Sequence, residues 1–154
     1  MSYFKEKCKH AYKCYKRGLP RRKVYAAVEK EDKFLVLKGR RDSRFKYCLP
    51  GGGIEKKEDV VTAIKRECLE ELNAKVEFEK TLGKIHDKSK WEYKGKEFYV
   101  DDEMEIVHVK FVEYGDNFRF GIAGEFDSQD VIAEISKEEM IESVAEFVKY
   151  GIKF

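Results

Sequence analysis

Three glutamates, Glu67, Glu70 and Glu71, form the most chemically suggestive pattern in this sequence. Their spacing of i, i+3 and i+4 places them on one face of a helix, at the edge of its apolar stripe. Glu67 and Glu71 are like charges four residues apart, which costs a bare helix roughly 0.2–0.5 kcal/mol. A hard divalent cation such as Mg²⁺ binds oxygen ligands and would offset this repulsion. The spacing therefore predicts a metal site on this helix.

A glycine-rich loop, Gly51–Gly53, precedes these acids. Glycine lets the backbone adopt unusual angles and come close to a ligand. Arg66 precedes Glu67 and reaches Glu70 at i+4, so its charge favours the ionised form of a neighbouring carboxylate. Glu58 lies between the loop and the helix, where we expect it to tie the two together.

The stretch from Gly52 to Ala74 closely resembles the signature of the Nudix hydrolase family, G-x5-E-x7-R-E-U-x-E-E-x-G-U, in which U is a bulky apolar residue. Six positions are in register with that signature: Gly52, Glu58, Arg66, Glu67, Glu70 and Glu71. Asn73 replaces the last glycine, which a helix-ending position tolerates. Cys68 and Ala74 are smaller than the usual apolar residues, and this affects packing rather than the acids.

The resemblance implies a reaction and a cofactor. Nudix enzymes use Mg²⁺ or Mn²⁺ to hydrolyse a nucleoside diphosphate linked to another group X, by attack of water on one phosphorus. Displacement at phosphorus is catalysed mainly by positioning and by neutralising charge on the oxygens. Clustered carboxylates beside a glycine loop suit that chemistry.

The resemblance also implies roles for individual residues. The expected metal ligands are the Gly51 carbonyl, Glu67, Glu70 and Glu71. The expected catalytic residues are Glu67, Glu70, Arg66 and Glu58. The expected substrate contacts are Arg40, Arg44, Gly52 and Gly53, with Arg41 in the same segment, because an arginine can bind phosphate bidentately.

The identity of the general base is left open by the resemblance. Some members of the family use an acid in the helix, and others use an acid in a later loop. Glu125, Asp127 and Asp130 are candidates for such a later acid, although we favour plain surface charge for them.

The apolar pattern predicts the elements that position these residues. Runs at 24–28 and 34–37, separated by polar residues, predict a hairpin. Residues 47–49 predict a strand that ends before the loop, because a residue preceding proline favours extended geometry. Asp59 as N-cap and Asn73 beyond the last turn delimit the helix that carries the acids.

Further strands are predicted at 76–82, 98–100 and 105–113, with turns at Gly83 and at 94–96. Ser136 and Glu139 form a capping box for a last helix, which Gly151 ends. Strands, helix, strands and helix in this order predict an α+β protein. With the resemblance, the expected architecture is the Nudix fold, an α/β/α sandwich around a mixed β-sheet.

The length of 154 residues fits one domain. With 42% hydrophobic and 40% charged residues, the composition excludes collagen-like and disulfide-scaffold classes, and no apolar run is long enough to span a membrane. The first twenty residues lack the apolar segment of a signal peptide, so we expect a cytoplasmic protein with reduced cysteines. A zinc site at Cys8, His10 and Cys14 is disfavoured because the spacing matches no usual pairing.

Residues 1–23 form a basic arm, which we separate from the Nudix domain assigned to residues 24–154. The arm has nine Lys and Arg against the single acid Glu6, and aromatic residues lie between the charges. Such alternation can bind single-stranded nucleic acid, which makes RNA a candidate partner. We favour the simpler interpretation that the arm packs its tyrosines on the domain and exposes its charges.

The favoured function is a Mg²⁺-dependent (or Mn²⁺-dependent) hydrolase that cleaves the pyrophosphate linkage of a nucleoside diphosphate joined to X. Nucleoside triphosphates are the preferred substrates because the chain is small. The alternatives are an RNA 5′-end pyrophosphohydrolase, a Nudix-like nucleotide- or RNA-binding module, which the intact acids argue against, and an isopentenyl-diphosphate isomerase, which needs additional metal ligands. The expected partner is a small nucleotide rather than a membrane, and monomer and homodimer are both open.

Overall fold

The computed structural model describes residues 3–39, 46–116 and 132–154. Four helices and seven strands lie within these ranges, in this order along the chain: α1 (Tyr3–Lys16), β1 (Arg21–Lys30), β2 (Lys33–Lys38), β3 (Tyr47–Cys48), β4 (Gly51–Gly53), α2 (Val60–Leu72), β5 (Ala74–Tyr93), β6 (Lys96–Tyr114), β7 (Ile132–Ile135), α3 (Lys137–Ser143) and α4 (Ala145–Lys149). Among these helices, none is long and apolar enough to cross a membrane.

The strands form one mixed sheet, as predicted. Its order is β3-β2-β1-β6-β5, with β4 paired to β1 and β7 paired to β2. The β1–β6 pair is parallel and the other pairs are antiparallel. Strand β1 therefore lies in the middle of the sheet and contacts the strands on both of its sides.

Both faces of the sheet are covered by helices. Alternate residues of β1 belong to different cores: Val28 packs with Ile64 and Leu72 of α2, whereas Ala27 packs with Met140 of α3. Strands with two buried faces read as continuous apolar runs, which is why residues 24–28 and 34–37 show no polar alternation. The α+β prediction is confirmed.

Strands β5 and β6 form a hairpin much longer than predicted. The turn expected at 94–96 is present, with positive φ at Lys94 (50°) and Gly95 (76°), the conformation that tight hairpin turns require. No turn forms at Gly83, which lies inside β5 beside a shift in the β5–β6 register. The side chain of Ile152 occupies the space that a Cβ of Gly83 would take.

Helix α1 packs on the hairpin. Cys8 and Ala11 are buried there, and the ring of Tyr12 meets the ring of Phe98 edge-on at 5.2 Å. The segment that links α1 to the sheet, residues 17–20, is short, because β1 begins at Arg21 rather than at the predicted Val24. Residues 3–16 of the predicted arm thus form a helix with one apolar face on the domain, whereas residues 21–23 belong to β1.

The predicted last helix is divided into α3 and α4. Ser136 caps α3 as predicted, accepting a hydrogen bond from the Glu139 N–H at 3.2 Å. The helix is interrupted at Val144, whose φ and ψ of −109° and 31° lie outside the helical range. Val144 is buried and packs on the sheet at this interruption. The apolar pattern alone did not reveal it.

Candidate active site

Helix α2 carries the three acids and begins and ends where the sequence predicts. Asp59 accepts a hydrogen bond from the Thr62 N–H at 2.7 Å, which satisfies one of the free donors of the first turn. Asn73 ends the helix in the left-handed conformation, with φ 51° and ψ 35°. Ile64 and Cys68 are fully buried, and this packing fixes the direction in which the acids point.

The glycine loop is held against the central strand. In the antiparallel β1–β4 pair, Gly51 lies opposite Tyr25 and Gly53 lies opposite Lys23. Gly51 has a φ of +152°, and a Cβ there would overlap the Val24 carbonyl oxygen and lie 2.7 Å from the Tyr25 Cα. Only glycine allows this approach of the two strands.

Arg66 connects the loop with the helix acids. Its guanidinium binds Glu58 through two hydrogen bonds of 2.8 and 2.9 Å and donates to the Gly53 carbonyl at 3.0 Å. It also donates to Glu67 at 3.0 Å and, more weakly, to Glu70 at 3.4 Å. The expectation that Glu58 lies between the loop and the helix is met by this geometry.

Glu58 is held in its ionised form. The hydrogen bonds from Arg66, together with one from the Glu55 N–H at 2.8 Å, lower the pKa of Glu58 to about 2. The same contacts raise the pKa of Arg66 above its ordinary value. Charge-assisted, bidentate pairs of this kind are among the stronger hydrogen bonds in proteins.

Glu67 and Glu71 converge beside the glycine loop. The Gly51 N–H donates to Glu71 Oε1 at 2.9 Å, and a Cβ on Gly52 would be only 2.8 Å from Glu67 Oε1. Burial raises the pKa of Glu67, and Arg66 and the neighbouring Glu71 oppose this effect. Two carboxyl groups held this close to one loop repel each other unless a proton or a cation lies between them.

Glu70 is placed differently from the other two acids. It is more exposed, and its nearest ion-pair partner is Arg66. Within 3–39, 46–116 and 132–154, no three His, Cys, Asp or Glu side chains already stand together as a complete ligand set for one ion. The carboxylate oxygens of Glu67 and Glu71 suit a hard cation. Other oxygen atoms would complete the coordination of that cation.

Several predicted residues lie outside the described part of the chain. These are Arg40, Arg41 and Arg44 before the loop, and Glu125, Asp127 and Asp130 before the last helices. Their roles stay predictions. The disfavoured zinc site brings only two side chains together, the Cys14 thiol and the His10 ring, at 3.7 Å.

Two residues of β1 next to the site were not singled out by the sequence. Tyr25 faces the loop, and its hydroxyl pKa is raised by burial and by the charges of Asp102, Glu71 and Glu67. Lys23 is 3.6 Å from Asp102. The alternation of β1 signals that Arg21, Lys23 and Tyr25 share a face, but only the pairing with β4 reveals that this face adjoins the loop.

The sequence profile of the NUDIX domain matches residues 19–146. The chain belongs to the Nudix family. The match begins at Leu19, inside the segment predicted as the basic arm. Membership of this family supports the predicted enzyme class, a Nudix pyrophosphohydrolase.

Solved structures share the fold at low sequence identity. A NUDIX hydrolase from Nitrosomonas europaea has a TM-score of 0.58 and 22% identity, covering 82% of this chain and 78% of that chain. An ADP compounds hydrolase has a TM-score of 0.55 and 18% identity, covering 81% and 62%. The E. coli ORF135 protein has a TM-score of 0.53 and 19% identity, covering 80% and 78%. Among the curated proteins, none matches the sequence.

Two cavities in the described ranges of this Nudix protein lie away from α2. One of about 480 Å³ adjoins α1 and the hairpin. The other, of about 490 Å³, adjoins the β1–β2 turn and the end of the chain. Neither is lined by an acid of α2 or by a glycine of the loop, so the candidate active site rests on its side-chain geometry.

The close approach of β4 to β1 predicts different effects for two neighbouring glycines. We expect Gly51→Ala to lower the free energy of unfolding by more than about 1 kcal/mol, because a Cβ there strikes backbone and φ is unfavourable. Gly53→Ala should change it by less than about 0.5 kcal/mol, since nothing lies within 4 Å of its Cβ. Urea denaturation measures both, and equal losses would contradict the described pairing.

The lowered pKa of Glu58 predicts acid sensitivity. A carboxyl group whose pKa falls from 4.5 to about 2 on folding stabilises the protein above about pH 4.5, and this contribution disappears as the pH falls towards 2. We expect Glu58→Gln to be less stable than the parent protein at pH 6, with the difference shrinking between pH 4.5 and 2. Exposed Glu142→Gln is the control in parallel urea titrations. A Glu58→Gln difference that does not vary with pH would refute the assignment.

Proposed function

We propose that this chain is a Mg²⁺- or Mn²⁺-dependent hydrolase of nucleoside diphosphates linked to a second group X. The observation that carries the proposal is the convergence of the half-buried Glu67 and Glu71 carboxyl groups on the glycine loop. Such a pair favours a cation between its oxygens, and a phosphate chain is the substrate that this cation and a glycine-rich loop would receive together.

The proposed metal ligands are Glu67, Glu70, Glu71 and the Gly51 carbonyl. A bound Mg²⁺ supplies neutralisation of charge on phosphate oxygens and a lower pKa for a coordinated water. The protein supplies the positions of the ligands. Arg66 holds Glu67 and Glu70 from one side, and the Gly51 N–H holds Glu71 from the other.

The proposed catalytic residues act at different distances from the phosphate. Glu67 and Glu70 are the helix acids proposed to take the proton from the attacking water. Arg66 and Glu58 hold those acids and the loop in register through the bidentate pair between them. Glu125, Asp127 or Asp130 is the alternative general base.

Nucleoside triphosphates are the proposed substrates, with Arg40, Arg44, Gly52 and Gly53 as phosphate contacts. The glycine contacts are supported by the exposed, unobstructed position of Gly53. One structural relative, the ADP compounds hydrolase, is consistent with the wider class of nucleoside diphosphate derivatives. A pure nucleotide-binding module is disfavoured, because it has no need for two half-buried carboxyl groups that repel each other beside the loop.

The 5′ end of RNA is a second candidate substrate. One observation favours it, the concentration of nine of the 32 Lys and Arg residues within residues 1–23. A phosphodiester chain attached to the reacting diphosphate would be attracted by these charges.

The metal proposal predicts the effect of neutralising one acid. In Glu71→Gln the side-chain amide oxygen can still accept the hydrogen bond from the Gly51 N–H, but the negative charge is lost. We therefore expect the fold to persist and kcat to fall by at least about 10²-fold. Mn²⁺ should raise the melting temperature of the parent protein and raise that of the variant less. Excess chelator should abolish the parent activity. Glu142→Gln is the control, and full activity of Glu71→Gln would refute the metal role of Glu71.

The reaction type predicts the products. With Mg²⁺ and a panel of nucleoside triphosphates, ADP-ribose, dinucleoside polyphosphates and capped RNA, we expect cleavage within a diphosphate linkage and release of a nucleoside monophosphate. AMP should be inert because it lacks the second phosphate. A single turnover in ¹⁸O-water should place one label in a product phosphate, read by mass spectrometry. Hydrolysis of monoesters alone, or a trapped phosphoenzyme, would contradict direct attack by water.

A further inference from the structure

Positive charge is strongly segregated in this chain. The formal net charge is only +2, yet residues 1–23 hold nine of the 32 Lys and Arg and one of the 30 Asp and Glu. In the structure, residues 3–16 of this segment form α1 on the β5–β6 hairpin, and residues 21–23 belong to β1. Lys9, Lys13 and Lys16 of α1, and Arg17 just beyond it, are exposed. The arm is therefore a shaped cationic surface and is anchored through Cys8 and Ala11.

Exposed apolar side chains cluster at the end of this helix. Tyr15, Leu19 and Tyr99 have 49%, 56% and 60% of their surface exposed, and all three line the cavity of about 480 Å³ between α1 and the hairpin. Arg21 and Lys88 line it as well. This combination of aromatic rings with cations is the one that binds single-stranded nucleic acid without regard to sequence.

The acidic groups at this cavity are paired with cationic or imidazole groups. Asp101 is hydrogen-bonded to His86. Asp102, which lies behind the cavity, is buried and accepts two hydrogen bonds from Arg21 at 2.7 and 2.9 Å. Both carboxyl groups have partners that reduce their repulsion of an approaching phosphate.

Strand β1 runs from the cavity to the candidate active site. Arg21 lines the cavity, Lys23 pairs in register with Gly53, and Tyr25 pairs with Gly51. Four residues of strand span roughly 13 Å. A nucleic-acid chain whose 5′ end lies at the glycine loop would therefore reach the cavity within a few nucleotides.

We propose that the outer face of α1 and the cavity beside it bind a single-stranded nucleic acid. Lys13, Lys16 and Arg17 contact its phosphates, and Tyr15 and Tyr99 receive its bases. This binding is independent of the hydrolysis proposed above and does not need the acids of α2. The exposed rings favour this ligand over an anionic membrane or an acidic protein, neither of which offers unstacked bases.

The proposal is tested with the full-length protein and a ligand that cannot be hydrolysed at a 5′ diphosphate. Uridine 12-mer RNA with a 5′ hydroxyl and a 3′ fluorescein is titrated in EDTA, and its fluorescence anisotropy is measured from 50 to 200 mM NaCl. A thymidine 12-mer DNA is titrated in the same way. We expect binding at micromolar protein that weakens with salt, and a preference for one oligomer identifies which nucleic acid the surface favours.

Two double variants separate the charges from the rings. Lys13→Ala with Arg17→Ala should weaken binding at least about fivefold at 100 mM NaCl and reduce the salt slope by about 1.4, two phosphate contacts on a single strand. Tyr15→Ala with Tyr99→Ala should weaken binding at least about fivefold with little change in slope, since stacking is worth roughly 1–3 kcal/mol per base. Lys137→Ala with Lys149→Ala, on α3 and α4, removes the same charge and should leave binding within about twofold.

Several outcomes would overturn the proposal. Absence of binding to both oligomers at 100 µM protein would do so, as would equal weakening by the α1 variant and the α3–α4 control, which would mean attraction to charge anywhere on the surface. Binding to vesicles of anionic phospholipid with no binding to the oligomers would assign the surface to a membrane instead. Circular dichroism of each variant checks that α1 stays folded. Loss of nucleotide hydrolysis has no bearing on these measurements, so the two proposals fail separately.

Discussion

The guanidinium group of Arg66 is the interaction on which the candidate active site depends. It binds Glu58 and the Gly53 carbonyl on the loop side, and Glu67 and Glu70 on the helix side. The planar group has five N–H donors in fixed directions, so it can hold both sides at once. A lysine would supply the charge without this geometry. The loop and the acids would then lack a shared hydrogen-bond donor that fixes their relative positions.

The central strand β1 sets the position of everything that Arg66 connects. It pairs with β2 and β4 on one side and with β6 on the other, while its two faces are buried under different helices. Gly51 packs directly on its backbone. The loop is thereby fixed to the most constrained strand of the sheet, and α2 is fixed to the loop. The packing of the loop and of α2 on β1 holds the acids close together despite their mutual repulsion.

The same strand joins two regions of opposite charge. Near Gly51 the chain gathers carboxyl groups, and beyond Arg21 it gathers cations on α1. The buried pair of Arg21 and Asp102, with the Arg21 guanidinium 4.7 Å from the centre of the Trp91 ring, lies at the junction. A buried pair of this kind adds little net stability over an apolar one, but losing either partner is costly. Its main effect here is to align β1 with β6 where α1 ends.

The sequence by itself determined the chemistry and the local elements of this protein. The acids, Arg66 and Glu58 lie within one helix and the loop before it. Helix geometry turns their separation in sequence directly into their relative positions. The caps Asp59 and Asn73 and the turn at Lys94–Gly95 depend on side chains and backbone angles of a few neighbouring residues, so they were predictable. The Nudix family followed from those residues because its signature is equally local.

Only the tertiary structure decided the contacts between segments distant in sequence. The merging of predicted strands into one long hairpin, the packing of Tyr12 on Phe98, and the alignment of Lys23 and Tyr25 with the glycine loop all join residues far apart in the chain. Sequence patterns report which side of an element is apolar, but not which element covers it. The division of the last helix at Val144 and the convergence of Glu67 and Glu71 on the glycine loop likewise arise from packing between elements.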